Sequence, residues 1–179
     1  MDNRIKIRDR VFIKYIDTEQ IKQIVKTLAQ RIGNDYQDEQ ICFIAVLNGA
    51  FVFAADLVRE TKNDSRIYFV KLSSYEGMTS GQVKQTTQLD KDFANKNVVV
   101  IEDIIETGNT IDYLMEELAK QKPKSLNVCT LLFKPNKFQS NYKINYVGKE
   151  IEDDFVVGYG MDYEQAGRGL EDIYQLNEI

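Results

Sequence analysis

Residues 98–110 read VVVIEDIIETGNT. Four branched apolar residues in a row, Val98 to Ile101, are the pattern of a strand buried on both faces. The run meets two adjacent acids, Glu102 and Asp103, resumes through Ile104 and Ile105, and reaches a third acid, Glu106, before Thr107-Gly108-Asn109-Thr110. Beyond it, Ile111, Leu114, Met115 and Leu118 fall on one helical stripe, and the spacing predicts a helix over 110–121 that Pro123 stops. The stretch is therefore strand, turn and helix, with acids where the strand ends. In open α/β sheets that end is where ligands gather.

Working outward, the same alternation recurs. Ile21, Ile24, Val25, Leu28 and Ile32 predict a helix over 18–32, capped by Asp17 or Thr18 and ended by Gly33-Asn34. ICFIAVL (41–47) reads as a buried strand, Asn48-Gly49 as a turn, and 50–60 as a helix. RIYFVKL (66–72) and SLNVCTLLFK (125–134) read as further strands, and FVVGYG (155–160) as a short one. SSYEGMTSGQVKQTT (73–87) is polar, carries two glycines and predicts a mobile loop or hairpin. Strands alternating with helices, without tight hairpins, predict an α/β fold with a central parallel sheet flanked by helices. With no repeat, low-complexity tract or linker, residues 1–179 are expected to form one domain.

Composition excludes several classes of chemistry. The chain has no histidine, so a zinc site or a Ser-His or Cys-His nucleophile in its usual form is excluded, and proton transfer falls to carboxylate, lysine or tyrosine. Its formal net charge of −5 weighs against nucleic acid as principal partner. No apolar run approaches the length of a membrane span, and MDNRIKIRDR does not lead into a signal-like segment, so the expected location is the cytoplasm. Cys42 and Cys129 sit inside strand-like apolar runs, as small buried hydrophobes do.

At the end of the strand over 97–103, the turn can aim several backbone N–H groups, the Thr107 and Thr110 hydroxyls and a helix N-terminus at one phosphate. It is not a P-loop, since GxxxxGK[ST] is absent. Two ionised carboxylates before such a cradle suit the vicinal hydroxyls of a ribose, because each only accepts hydrogen bonds. A strand that ends in solvated acids, with Asn109 or Thr110 capping a helix, fits the same residues, and pattern alone leaves both open.

IEDIIETGNT resembles the phosphoribosyl-diphosphate signature of the type I phosphoribosyltransferases, in the EDIIDTG form of the hypoxanthine-guanine enzymes. The likeness continues in chain order. VLNGAFVFAADL (46–57) resembles the family's diphosphate-binding loop, whose Leu-Xaa-Gly is associated with a cis peptide, here Leu47-Asn48. SSYEGMTSG resembles its flexible catalytic loop, LLFK its purine-reading lysine segment, and DFVVGYGMDYEQAGRGL its purine-stacking and metal-binding segment.

The fold implied is the type I phosphoribosyltransferase fold, a parallel sheet with a small hood and a flexible loop. The reaction implied is displacement of pyrophosphate from phosphoribosyl diphosphate by a 6-oxopurine, with Mg2+ as cofactor and a homodimer or homotetramer as the assembly. By that resemblance, Leu47, Asn48, Gly49, Glu102, Asp103, Glu106, Thr107, Gly108, Asn109, Thr110 and Arg168 bind phosphoribosyl diphosphate. Lys134, Phe155, Val156 and Asp162 bind the purine, with Lys134 donating to the 6-oxo group and Phe155 stacking on the ring. Glu102, Asp103 and Asp162 hold metal; Ser74 and Tyr75 close over the site.

Glu106 takes the place of the family's general-base aspartate, with one extra methylene. The chemistry is kept, with reference pKa values of about 4.3 and 3.9, but a shift of about 1 Å can matter as much as ~10²-fold in rate. Asn48 and Ala50 stand where the family often has lysine and glycine. The competing expectations are a phosphoribosyl-diphosphate-binding regulator with little turnover, for which a basic RNA-binding surface or an added DNA-binding segment would be expected, and the same transfer to xanthine or a pyrimidine.

Overall fold

The computed structural model describes residues 3–74, 83–85 and 91–177. Its central element is β3 (Ile41–Leu47), almost entirely buried. It lies between β4 (Ser65–Ser74) and β6 (Asn97–Ile105), both parallel to it; β7 (Ser125–Phe133) and β8 (Tyr146–Glu150) continue the parallel sheet, and the short β5 (Val83–Gln85) joins antiparallel at the β4 edge. Both faces are covered. Cys42, Ile44, Val46, Val98 and Val100 pack under α3 (Asn109–Ala119) through Ile111, Leu114, Met115 and Leu118. Phe43, Ala45, Val99 and Ile101 pack under α1 (Thr18–Tyr36) and α2 (Phe51–Thr61). Cys42 and Cys129 are free, buried and in different layers, and burial raises both thiols.

Two expectations are corrected. Gly33-Asn34 does not end α1, which runs on to Tyr36. Gly33 instead sits where a side chain would press on Asn63, and Tyr36 anchors the added turn by accepting hydrogen bonds from Asn127 (2.6 Å) and Ser125 (3.2 Å). The start is as read: the Asp17 carboxylate accepts from the Gln20 N–H and Gln20 Oε1 from the Asp17 N–H.

The chain also has a tight hairpin. β1 (Arg4–Ile7) and β2 (Arg10–Ile16) pair antiparallel, and β10 (Ile173–Leu176) and β9 (Val156–Val157) extend them into a second sheet, β1-β2-β10-β9. An isolated hairpin is marginal in water, and this one is completed by strands from the other end of the chain. Phe12 and Val157 form its buried centre. Asp172 ties the hood to α1: it accepts from the Thr18 N–H and hydroxyl, both at 2.8 Å, and pairs with Lys14, which holds its carboxyl down at about 2.

The 73–87 segment falls mostly outside the described residues, Tyr75 included. Ser74 is the last residue of β4.

Candidate active site

Because β3, β6 and β7 run parallel and in register, their carboxyl ends deliver three segments to one edge: Leu47-Asn48-Gly49, Glu102 to Thr110, and Lys134. Leu47-Asn48 is a cis peptide. A fourth segment, 155–168, descends from the hood and closes over the same edge. Gly160 backs onto the β3–α2 loop so tightly that a Cβ there would lie 2.2 Å from the Gly49 carbonyl oxygen.

Two adjoining clefts result. The smaller, of about 150 Å³, is formed by consecutive chain, Glu102 and Ile104 to Ile111. Here α3 begins at Gly108, in the left-handed conformation (φ 91°), with no side chain capping the helix. The Asn109 N–H meets the Thr107 hydroxyl oxygen at 3.5 Å, no N-cap side chain accepts from the N–H groups that follow, and the helix dipole adds positive potential. The helix cap offered by Asn109 or Thr110 is not formed. Glu102 is 7% exposed, and burial, with the neighbouring Asp103 charge adding to it, holds its carboxyl well above the usual range.

The larger cleft, of about 300 Å³, brings Asn48, Gly49 and Asp103 together with Met161, Asp162 and Arg168, and is lined as well by Lys134, Phe155 and Val156. Glu106 and Ile104 line both clefts. Asp103 presses on Gly49, where a Cβ would lie 2.1 Å from its Oδ2, and burial pushes its carboxyl up to about 6. Arg168 donates to the Gly160 carbonyl at 2.8 Å and pairs with Asp162 at 2.5 Å; Asp162 also accepts from the Gln165 N–H at 2.7 Å. Phe155 is 46% exposed at the rim, with its ring edge-on to Tyr163 (5.9 Å) and near Phe12 (6.4 Å). Lys134 is only 4% exposed and its ammonium pairs with Glu106.

The structure thus splits the neighbouring acids: Asp103 shares the larger cleft with Asp162 and Arg168, while Glu102 lines the smaller one. Among the described residues no three acidic, cysteine or histidine side chains converge as a cation cage. The donors present are all carboxylate oxygens, and they fit a hard divalent cation that keeps waters and takes its remaining ligands from substrate phosphates. Leu47, at the end of β3, supplies the cis bond and does not line either cleft. Sequence reasoning missed Met161 and Ile104 as cleft walls, and Lys137 and Asp153 beside Lys134 and Glu106. The signal for Lys137 was its place three residues after Lys134; Asp153 carried none.

Comparison with known proteins gives this geometry a family. The phosphoribosyl transferase domain model matches residues 14–164, so the chain belongs to the phosphoribosyltransferase family, and its five-stranded parallel sheet with flanking helices is the type I fold of that family. The relatives are specific. The hypoxanthine phosphoribosyltransferase of Buchnera aphidicola subsp. Schizaphis graminum is 45% identical over 163 residues, covering 88% of this chain and 92% of that one. The hypoxanthine-guanine phosphoribosyltransferase of Mycobacterium tuberculosis (strain ATCC 25618 / H37Rv) is 38% identical over 170 residues, covering 90% and 84%. The crystal structure of a hypoxanthine-guanine phosphoribosyltransferase from Bacillus anthracis superposes with a TM-score of 0.87 at 43% identity, over 92% of this chain and 96% of that one.

Proposed function

We propose that this chain is a purine-salvage transferase that moves the 5-phosphoribosyl group of phosphoribosyl diphosphate to hypoxanthine or guanine, giving IMP or GMP and pyrophosphate. The observation that carries the reading is the position of Glu106, which lines both the phosphate cradle and the cleft containing Lys134 and Phe155. A proton acceptor is needed where sugar and base meet, and this carboxylate is at that junction.

In this reading the α3 N-terminus and the Thr107–Thr110 turn hold the 5-phosphate. Glu102 and Asp103 accept from the ribose hydroxyls, and both buried carboxyls gain partners that offset their desolvation. The Asn48-Gly49 backbone and the Arg168 guanidinium, whose planar fork suits phosphate oxygens, meet the pyrophosphate. When bound, Mg2+ would be held through Asp103 and Asp162, with Glu102 acting through a ribose hydroxyl or water, and supplies Lewis acidity to the departing pyrophosphate oxygens.

On the base side Phe155 stacks on the ring, the Val156 backbone reads its edge, and Lys134 donates to the 6-oxo group. An ammonium has no acceptor for the 6-amino group of adenine, so the site selects 6-oxopurines. As the base N9 lone pair bonds to C1′ and the C1′–O bond to pyrophosphate breaks, Glu106 takes the N7 proton. The Ser74-Tyr75 pair, by resemblance, closes over the reacting sugar and excludes water. The same reading makes residues 1–179 one domain and the active form a homodimer or homotetramer in the cytoplasm, with neither nucleic acid nor membrane as partner. Among the described residues no helix is long and apolar enough to cross a membrane.

The test is incubation with Mg2+, phosphoribosyl diphosphate and each base in turn, with nucleotide and pyrophosphate both assayed. IMP and GMP are the expected products. No nucleotide with any base overturns the reading, and product from xanthine or a pyrimidine alone corrects the substrate.

A further inference from the structure

Glu106 and Lys134 belong to a larger cluster. Lys134 pairs with Glu106 through Oε1 and lies 3.6 Å from Asp153 Oδ1. Lys137, from the single turn Pro135–Lys137 that follows β7, lies 2.5 Å from the same Asp153 oxygen and 4.0 Å from Glu106 Oε2. Each lysine therefore faces both carboxylates, and the two Glu106 oxygens have different cations beside them. The Lys137–Asp153 hydrogen bond raises the Lys137 ammonium and lowers the Asp153 carboxyl, so both members stay charged at neutral pH.

The arrangement answers a mechanical problem that Glu106 creates. A glutamate has one more rotatable bond than an aspartate, and here the side chain is 43% exposed, with little packing to fix that bond. Lys134 alone restrains one oxygen, and when a base arrives its ammonium must also serve the 6-oxo group. A second cation beside Oε2 limits rotation of the carboxylate about its terminal bond. Asp153 keeps that cation in place, since an unanchored lysine would itself be free to swing into solvent.

We propose that Lys137, held by Asp153, is a positioning residue that orients the Glu106 carboxylate for its proton transfer. The inference rests on the functional reading above, in which Glu106 touches the base, and it adds Lys137, which acts through Glu106, and Asp153, which holds Lys137.

Steady-state kinetics of Lys137→Met and Lys137→Arg, each in wild-type and in Glu106→Asp backgrounds, test it. In the wild-type background Lys137→Met lowers kcat roughly tenfold, within the ~10²-fold that about 1 Å of misplacement can cause, and leaves KM for phosphoribosyl diphosphate within about twofold. Lys137→Arg restores most of the loss. In Glu106→Asp, whose shorter side chain needs less restraint, Lys137→Met has a much smaller effect, a non-additivity that a general structural role would not produce.

Equal losses in both backgrounds, a loss that Lys137→Arg does not rescue, or an unchanged kcat would overturn the proposal while the functional reading stands. Wild-type protein that makes no nucleotide with any base overturns both.

Discussion

The two clefts share Glu106 but are built in opposite ways. The smaller, the proposed phosphate cradle, is made by consecutive residues, Glu102 and Ile104 to Ile111, of one strand, one turn and one helix start. The other cleft draws on Asn48 and Gly49 after β3, Asp103 and Ile104 at the end of β6, Glu106 just after it, Lys134 after β7, and Phe155, Val156, Met161, Asp162 and Arg168 from the segment that descends from the hood. Backbone N–H groups and a helix dipole suffice for a phosphate, and these come with any turn of the right local geometry. A purine needs a stacking ring, a donor and an acceptor at fixed separations, and no short peptide supplies all three.

The difference predicts how each half fails. Glu106→Gln attacks their junction: it keeps the shape but cannot take a proton, so turnover falls roughly 10²- to 10⁴-fold while affinity for phosphoribosyl diphosphate is kept. Unchanged turnover would remove Glu106 from the chemistry and leave the halves without a link. Gly49→Ala tests the long-range assembly, because its Cβ would lie 2.1 Å from Asp103 Oδ2 and must push that carboxylate aside. The expected loss in kcat/KM is about 10²-fold with a folded protein by circular dichroism. Wild-type kinetics would mean that Asp103 acts without its contact to the β3 loop.

Phe155→Ala should separate the halves cleanly. Removing the stacking face raises KM for the base about tenfold, from the ~1–3 kcal/mol that aromatic stacking on a base is worth, and leaves KM for phosphoribosyl diphosphate alone. Equal rises for both substrates would count against the division.

The smallest effect concerns stability. Native Asp103 keeps its proton up to about pH 6, whereas an unfolded aspartate loses it near pH 3.9. Between those values the native state binds more protons, so this group's contribution to stability falls as pH rises through the window, and the full penalty of its buried charge is present above it. Asp103→Asn therefore raises Tm at pH 8 by a few degrees, roughly 1–2 kcal/mol, and leaves it near wild type at about pH 3.5, below the window. A melting temperature equally shifted at both values would show that burial of the charge is not the cause.

Legibility in the sequence followed the same division. β3, β6, β7, α2 and α3 were read to within a residue or two at most ends because their apolar patterns are local and strong. The hood was not read as a sheet: β1 and β2 are short, β9 has two residues, and their partner β10 comes from the other end of the chain. Gly33 was read as a helix stop because glycine so often is one, whereas its lack of a side chain here serves packing against Asn63. Resemblance singles out Lys134, Phe155, Asp162 and Arg168 individually, and the fold brings them to one cleft. Their pairings, Lys134 with Glu106 and Asp162 with Arg168, belong to the folded chain.

The sequence by itself determined the parallel sheet and the acids at the end of β6, along with the turn that follows them. Hydrophobic periodicity and turn chemistry act over a few residues and leave their mark in order along the chain. Only the tertiary structure decided that Glu102 and Asp103 face different clefts, that α3 begins without a side-chain cap, and that Lys137 and Asp153 flank the Glu106 carboxylate. Those outcomes depend on the register between strands and on the hood's approach to the sheet, and neither is set by residues that are neighbours in sequence.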